Sequence, residues 1–285
     1  MKNLKTLVES QFPLLGRGLG RGGDKKSAFT LAEVLITLGV IGVVAAMTLP
    51  TLIHNYQKTV YVNQLKKSYS ILEQAFQKMM ADDGVQKLSD TSVWASKGNT
   101  TCAYYMTPYT GNSNCKAFVN SLNKYIKIIG IEKYVDKIPY LKGNETMNYI
   151  NYDSLVLSDG TMIMFEASGS PFTKTPEECN QIKSLGGSMC SMAGVIIVDI
   201  NGKKKPNTYG RDLFNFKLSD EGKLYPASGK DDALYSYIRA LDTNPNYWRN
   251  NSSKCGSVDG TWPNGNVFGD QCTARIMEEG WKMNY

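Results

Sequence analysis

The chain has 285 residues, 42% of them hydrophobic and 20% charged. That balance suits one sizeable domain with a membrane element, or two small domains, and excludes a multi-span membrane protein. The formal net charge is +6, but six lysines and arginines against two acids put +4 of it in the first 28 residues, so the remainder offers little to favour a nucleic-acid partner.

From Phe29 to Leu49 about 21 residues carry no charge except Glu33, against roughly 20 needed to cross a bilayer. No other run is that long, so the chain from His54 onward is predicted to be a soluble domain on a single anchor. Lys2, Lys5, Arg17, Arg21, Lys25 and Lys26 precede the run and would hold the N-terminus in the cytoplasm. The run exceeds the apolar stretch of a secretory signal, and Met47-Thr48-Leu49-Pro50-Thr51 offers no Ala-x-Ala cleavage site. A plain signal anchor explains length and flanking charge, but not a carboxylate in hydrocarbon, which is expensive unless paired.

Beyond Pro50 the pattern becomes amphipathic. Leu65, Tyr69, Leu72, Phe76 and Met79 recur at helical spacing, predicting a helix to about Asp82 whose apolar stripe lies against a sheet, with Asp82-Asp83-Gly84 as its stop. Residues 85 to about 148 are polar and weakly periodic, with a helix predicted over Cys115 to Ile131. Tyr149–Leu157 and Thr161–Glu166 flank Ser158-Asp159-Gly160 as a hairpin, Gly194–Ile200 is a β-branched run, and Leu213–Leu218 and Lys223–Tyr225 flank Asp220-Glu221-Gly222. Together they predict an antiparallel sheet of about four strands, and the fold class is α+β with loops stapled by disulfides. The tail is predicted to hold short helices at Asp232–Leu241 and Thr273–Trp281. Trp248, Trp262 and Tyr285 are read as local packing rather than partner contacts.

Six cysteines stand at Cys102, Cys115, Cys179, Cys190, Cys255 and Cys272. Nearest-neighbour pairing is the preferred one of 15 connectivities, each bridge contributing about 3 kcal/mol in the loop-entropy model. There is no Cys-x-x-Cys and His54 is the only histidine, so zinc is set aside and an oxidising, extracytoplasmic compartment is expected. Asp199, Asn201, Asn207 and Asp212 offer oxygen ligands for calcium, but they lack the spacing and terminal glutamate of an EF-hand. Turn chemistry is the reading there, and no cofactor is expected. No catalytic constellation is found, so the chain is not read as an enzyme.

Lys25-Lys26-Ser27-Ala28-Phe29-Thr30-Leu31-Ala32-Glu33 resembles the processing motif of type IV pilins and type II secretion pseudopilins: a basic leader, a small residue, then Phe-Thr-Leu-x-Glu and an apolar helix. Ala28 stands where that family usually has glycine. The resemblance implies a leader over residues 1–28, a membrane and filament-core helix over 29–50, and a pilin-like extracytoplasmic domain over 51–285. It implies cleavage between Ala28 and Phe29 by a prepilin peptidase, which N-methylates Phe29. Glu33 is then expected to meet the new amine of a neighbouring subunit, and Gly42 and Pro50 to bracket a stretch of helix that can extend. The implied partners are other pilin or pseudopilin subunits, an inner-membrane assembly platform, and membrane lipid before assembly. The expected location is a single-pass bacterial inner membrane, then a filament in the periplasm or at the cell surface. The chain remaining after cleavage leans towards a minor subunit. The competing reading is an anchored binding domain that never polymerises.

Overall fold

A computed structural model of the chain describes residues 30–103, 109–139, 141, 146–173, 175–184, 190–227, 255, 269 and 272–285. The chain divides into two compact units, Met1–Thr51 and Leu52–Tyr285. One 53-residue helix, α1 (Leu31–Asp83), begins in the first and continues into the second, with Pro50 inside it. In the first unit Leu31, Leu35, Ile36, Leu38 and Ile41 are each between 61% and 77% exposed. This segment is apolar and long enough to cross a membrane. Thr37 and Thr48 donate their hydroxyls to the carbonyls of Val34 and Val44 at 3.0 Å, as a low-dielectric surrounding would require.

In the second unit α1 buries one stripe. Val62, Leu65, Leu72, Phe76 and Met79 are almost fully enclosed, with Tyr69 half-buried among them. The helix ends where Gly84 turns left-handed at φ +66°. The N–H groups of Gly84 and Val85 then reach back to the carbonyls of Ala81 and Met80, a Schellman motif that satisfies two otherwise orphaned acceptors.

Two short turns of helix follow, a 3-10 turn at Leu88–Asp90 and α2 (Ser92–Ala95), then α3 (Ser113–Leu122). Asn112 caps α3 by accepting from the N–H groups of Asn114 and Cys115. This helix is shorter than the one expected over Cys115 to Ile131, because the chain is extended from Ile128.

The sheet has six strands rather than about four: β1 (Ile128–Pro139), β2 (Thr146–Leu157), β3 (Met162–Thr173), β4 (Ser191–Asp199), β5 (Leu213–Leu218) and β6 (Leu224–Pro226). All neighbours are antiparallel and adjacent in sequence, so the sheet is a meander. α4 (Pro176–Ser184) lies between β3 and β4, and α5 (Cys272–Glu278) follows β6. β1 and β2 pair along most of their length, yet among the described residues β2 meets β3 only at Leu155↔Ile163 and Val156↔Met162. Past that point Cys102 takes the place of a strand beside β3, exchanging both backbone hydrogen bonds with Ala167.

One sheet face receives α1. Phe165, Ile196, Val198, Phe214 and Phe216 share the main core with the helix stripe. Phe165 is ringed by Phe76, Trp94 and Phe118 at centroid distances of 5.6–6.0 Å. The other face carries a smaller cluster of Tyr134, Met162, Met164, Ile197, Tyr209 and Leu213.

Disulfides join Cys102 to Cys115, Cys179 to Cys190 and Cys255 to Cys272, with Cα separations of 5.4, 5.3 and 4.7 Å, inside the range an unstrained backbone allows. The first ties α3 to the segment bonded against β3. The second closes α4 onto the start of β4, and the third anchors α5. α5 spans Cys272–Glu278 and so stops short of Trp281; the helix expected at Asp232–Leu241, and Trp248 and Trp262, lie outside the described residues. Tyr285 is packed, its hydroxyl donating to the Gly210 carbonyl and its ring 5.5 Å from the Arg275 guanidinium.

Candidate functional site

Two groups of sequence-derived residues can be located, one at the start of α1 and one at the end of β4. At the start of α1, Thr30 N–H and the Thr30 hydroxyl both donate to Glu33 Oε2, at 2.8 and 2.9 Å. Glu33 N–H in turn donates to Thr30 Oγ1 at 3.2 Å. This is a reciprocal capping box, in which residues three apart satisfy the donors that the first helical turn leaves open. The same spacing recurs at α4, where Thr175 N–H donates to Glu178 Oε2 and Glu178 N–H to Thr175 Oγ1. Glu33 therefore has a partner inside its own chain, Thr30, a role that the family resemblance does not imply. The Thr-x-x-Glu spacing in front of an apolar run was the available signal.

Gly39 and Gly42 lie in the exposed half of α1, and a Cβ at either would meet nothing within 4 Å. No packing among the described residues demands glycine there. Helix continues through Pro50, although proline supplies no N–H to the preceding turn. Ala28 and Phe29 lie outside the described residues.

At the end of β4 the oxygen-bearing residues do converge. Asp199 and Asp212 are fully buried. Asp199 accepts from the Tyr134 hydroxyl at 2.9 Å and from Asn201 N–H at 3.2 Å. Asp212 accepts from the N–H groups of Thr208 and Asn207 and from Asn201 Nδ2, at 2.5, 3.0 and 3.2 Å. All four carboxylate oxygens are thus engaged by protein donors, which is the chemistry of a buried turn. Among the described residues no three His, Cys, Asp or Glu side chains are grouped to hold a metal ion.

Burial first, and then the neighbouring Asp212 charge, push Asp199 up to about 8, and burial likewise raises Asp212. An acid raised on folding keeps a proton that the unfolded chain has released. Its stabilisation is complete below the ordinary carboxylate range and is lost as pH climbs through about 8. Thermal melts between pH 5 and 9 should therefore show falling stability, at up to about 1.4 kcal/mol per pH unit for one proton. Asp199→Asn, which imitates the protonated form and leaves Tyr134 a partner, should flatten that slope and melt higher than the wild type at pH 9.

The comparisons with known proteins divide the chain at nearly the same place as its two compact units. A family model described as a family of unknown function, DUF6613, matches residues 51–285. The chain belongs to that family. A second model, the prokaryotic N-terminal methylation motif, matches residues 23–49 of this DUF6613 protein, so its N-terminal segment is type IV pilin-like. That match takes in Ala28, Phe29, Glu33 and Gly42 and stops before Pro50. No curated protein and no solved structure matches the chain.

Proposed function

We propose that the protein is a prepilin-like structural subunit. It is anchored by α1, cut between Ala28 and Phe29, N-methylated at Phe29, and drawn into a type IV pilus or a type II secretion pseudopilus as a minor component. The observation that carries this reading is the methylation motif at residues 23–49, coinciding with a helix start whose apolar side chains are all exposed. Proteolysis would create a positive amine four residues before Glu33. A carboxylate in hydrocarbon is tolerable beside such an amine, and a neighbour stepped correctly along the filament would supply one. Glycines allow close helix approach in lipid, which suits Gly39 and Gly42 to subunit packing. Pro50, lacking an N–H, marks where the helix could loosen.

The direct test is mass spectrometry of the N-terminal peptide from native membranes. The expected peptide begins at Phe29 and is heavier by one methyl group. A chain recovered with Met1 still attached would overturn the assignment in favour of a permanent anchor.

A further inference from the structure

A hollow of about 290 Å³ opens beside the first turns of α1 in the second unit, lined by His54, Lys58, Tyr61, Gly210, Arg211 and Tyr285 among others. That volume is at the small end for ligand sites. Among the described residues no acidic side chain lines it. Lys58 Nζ donates to a main-chain oxygen of Tyr285, the last residue of the sequence, so the ammonium is occupied there and Arg211 is the cation left to meet an anion. Arg211 is only partly buried and makes no ion pair with any described residue. The acid next to it in the chain, Asp212, is buried and already engaged by Asn201, Asn207 and Thr208. A guanidinium placed this way offers a fork of donors matched to a phosphate.

The position of the hollow along α1 narrows the source of that phosphate. Leu52 and Ile53 are 66% and 53% exposed and end the apolar stretch, and Lys58 lies about 7.5 Å further on at helical rise. The polar layer on each side of a bilayer is about 5–8 Å deep. Tyr56 is 68% exposed in the same turns, and an adjoining hollow holds Trp281 with Lys282 and Asn284. Aromatic side chains beside cations at such a depth are the usual furnishing of a membrane–water interface.

We propose that this hollow binds the phosphodiester headgroup of a phospholipid in the outer leaflet of the membrane that α1 crosses, with Arg211 as the principal phosphate ligand. The site rests on the anchored-subunit reading above, and it would be emptied when the subunit leaves the bilayer.

Native mass spectrometry tests both together, because the same spectrum reports whether residues 1–28 have been removed and how many lipids stay bound. The full chain, extracted in mild detergent, is titrated with phosphatidylglycerol, with phosphatidylcholine, and with inorganic phosphate alone. One phosphatidylglycerol per chain should be retained ahead of phosphatidylcholine. Arg211→Glu should cut its occupancy about tenfold, while Lys124→Glu, an equal charge change on an exposed residue outside the hollow, should leave it unaltered. Near-UV circular dichroism checks folding, and Arg211→Gln, losing several-fold, takes over if Arg211→Glu does not fold. Equal losses in Arg211→Glu and Lys124→Glu would overturn the site as unspecific attraction. Displacement of the lipid by inorganic phosphate would make it a free-anion site. Loss of self-association in Arg211→Glu with lipid retention intact would make it a contact between subunits. An uncut chain that still retains lipid through Arg211 would refute the filament reading and spare this one.

Discussion

Glu33→Val is expected to yield a subunit that is cut and methylated normally but enters filaments at least about tenfold less often than the wild type. Two roles for Glu33 compete, since its carboxylate closes a capping box with Thr30 and would also pair with the amine of a neighbour. Glu33→Gln separates them. Glutamine serves at this capping position as well as glutamate does, yet carries no charge. Removing one member of a desolvated ion pair is among the more damaging single changes, so Glu33→Gln should fail as badly as Glu33→Val. Thr30→Val, which loses the cap and keeps the charge, should be much milder. The readouts are the mass of the N-terminal peptide and the amount of subunit in sheared filaments. Normal incorporation of Glu33→Gln would reduce Glu33 to a helix cap.

Gly194→Ala should be the most destabilising small substitution in the sheet. Gly194 lies on β4 between Ala167 of β3 and Leu218 of β5. A Cβ there would stand 2.1 Å from the Glu166 carbonyl oxygen and 3.2 Å from the Phe165 ring. The obstacle is backbone held on both sides, so it cannot swing away as a side chain could. Overpacking of this kind costs about 3 kcal/mol or more, which in a domain of this size lowers the melting temperature by about 6–12 °C. Gly130→Ala is the comparison, because a Cβ there meets nothing within 4 Å and the melt should barely move. If the two variants melt together, the clash at Gly194 is being relieved by a shift of β3.

Where the sequence spoke clearly, its periodicity was unbroken. The stripe from Leu65 to Met79 and the stop at Gly84 were legible because every repeat falls on one face and the terminator needs a residue that tolerates positive φ. β1 was not legible. Its register shifts between Ile128 and Gly130 and again between Tyr134 and Asp136, and each bulge breaks the alternation by which a strand is read. α4 is illegible for a different reason. It is short and mostly exposed, so it has almost no apolar stripe, and its only strong marker is the Thr175–Glu178 box. At the candidate site, the oddity of Glu33 is visible in the sequence, whereas its bond to Thr30 is signalled only by their spacing of three. Arg211 could not be found at all, since only the fold brings it beside Lys58, 153 residues earlier in the chain.

The narrow junction between β2 and β3 also determines how the sheet will breathe. Among the described residues, amide protons on the outer part of the β1–β2 ribbon are guarded by a single neighbouring strand, while those of β4 are flanked on both sides. Solvent deuterium should enter at the ribbon first and at β4 only on global opening. Early exchange at the ribbon would mark a local opening that leaves the packing of α1 against β3, β4 and β5 intact.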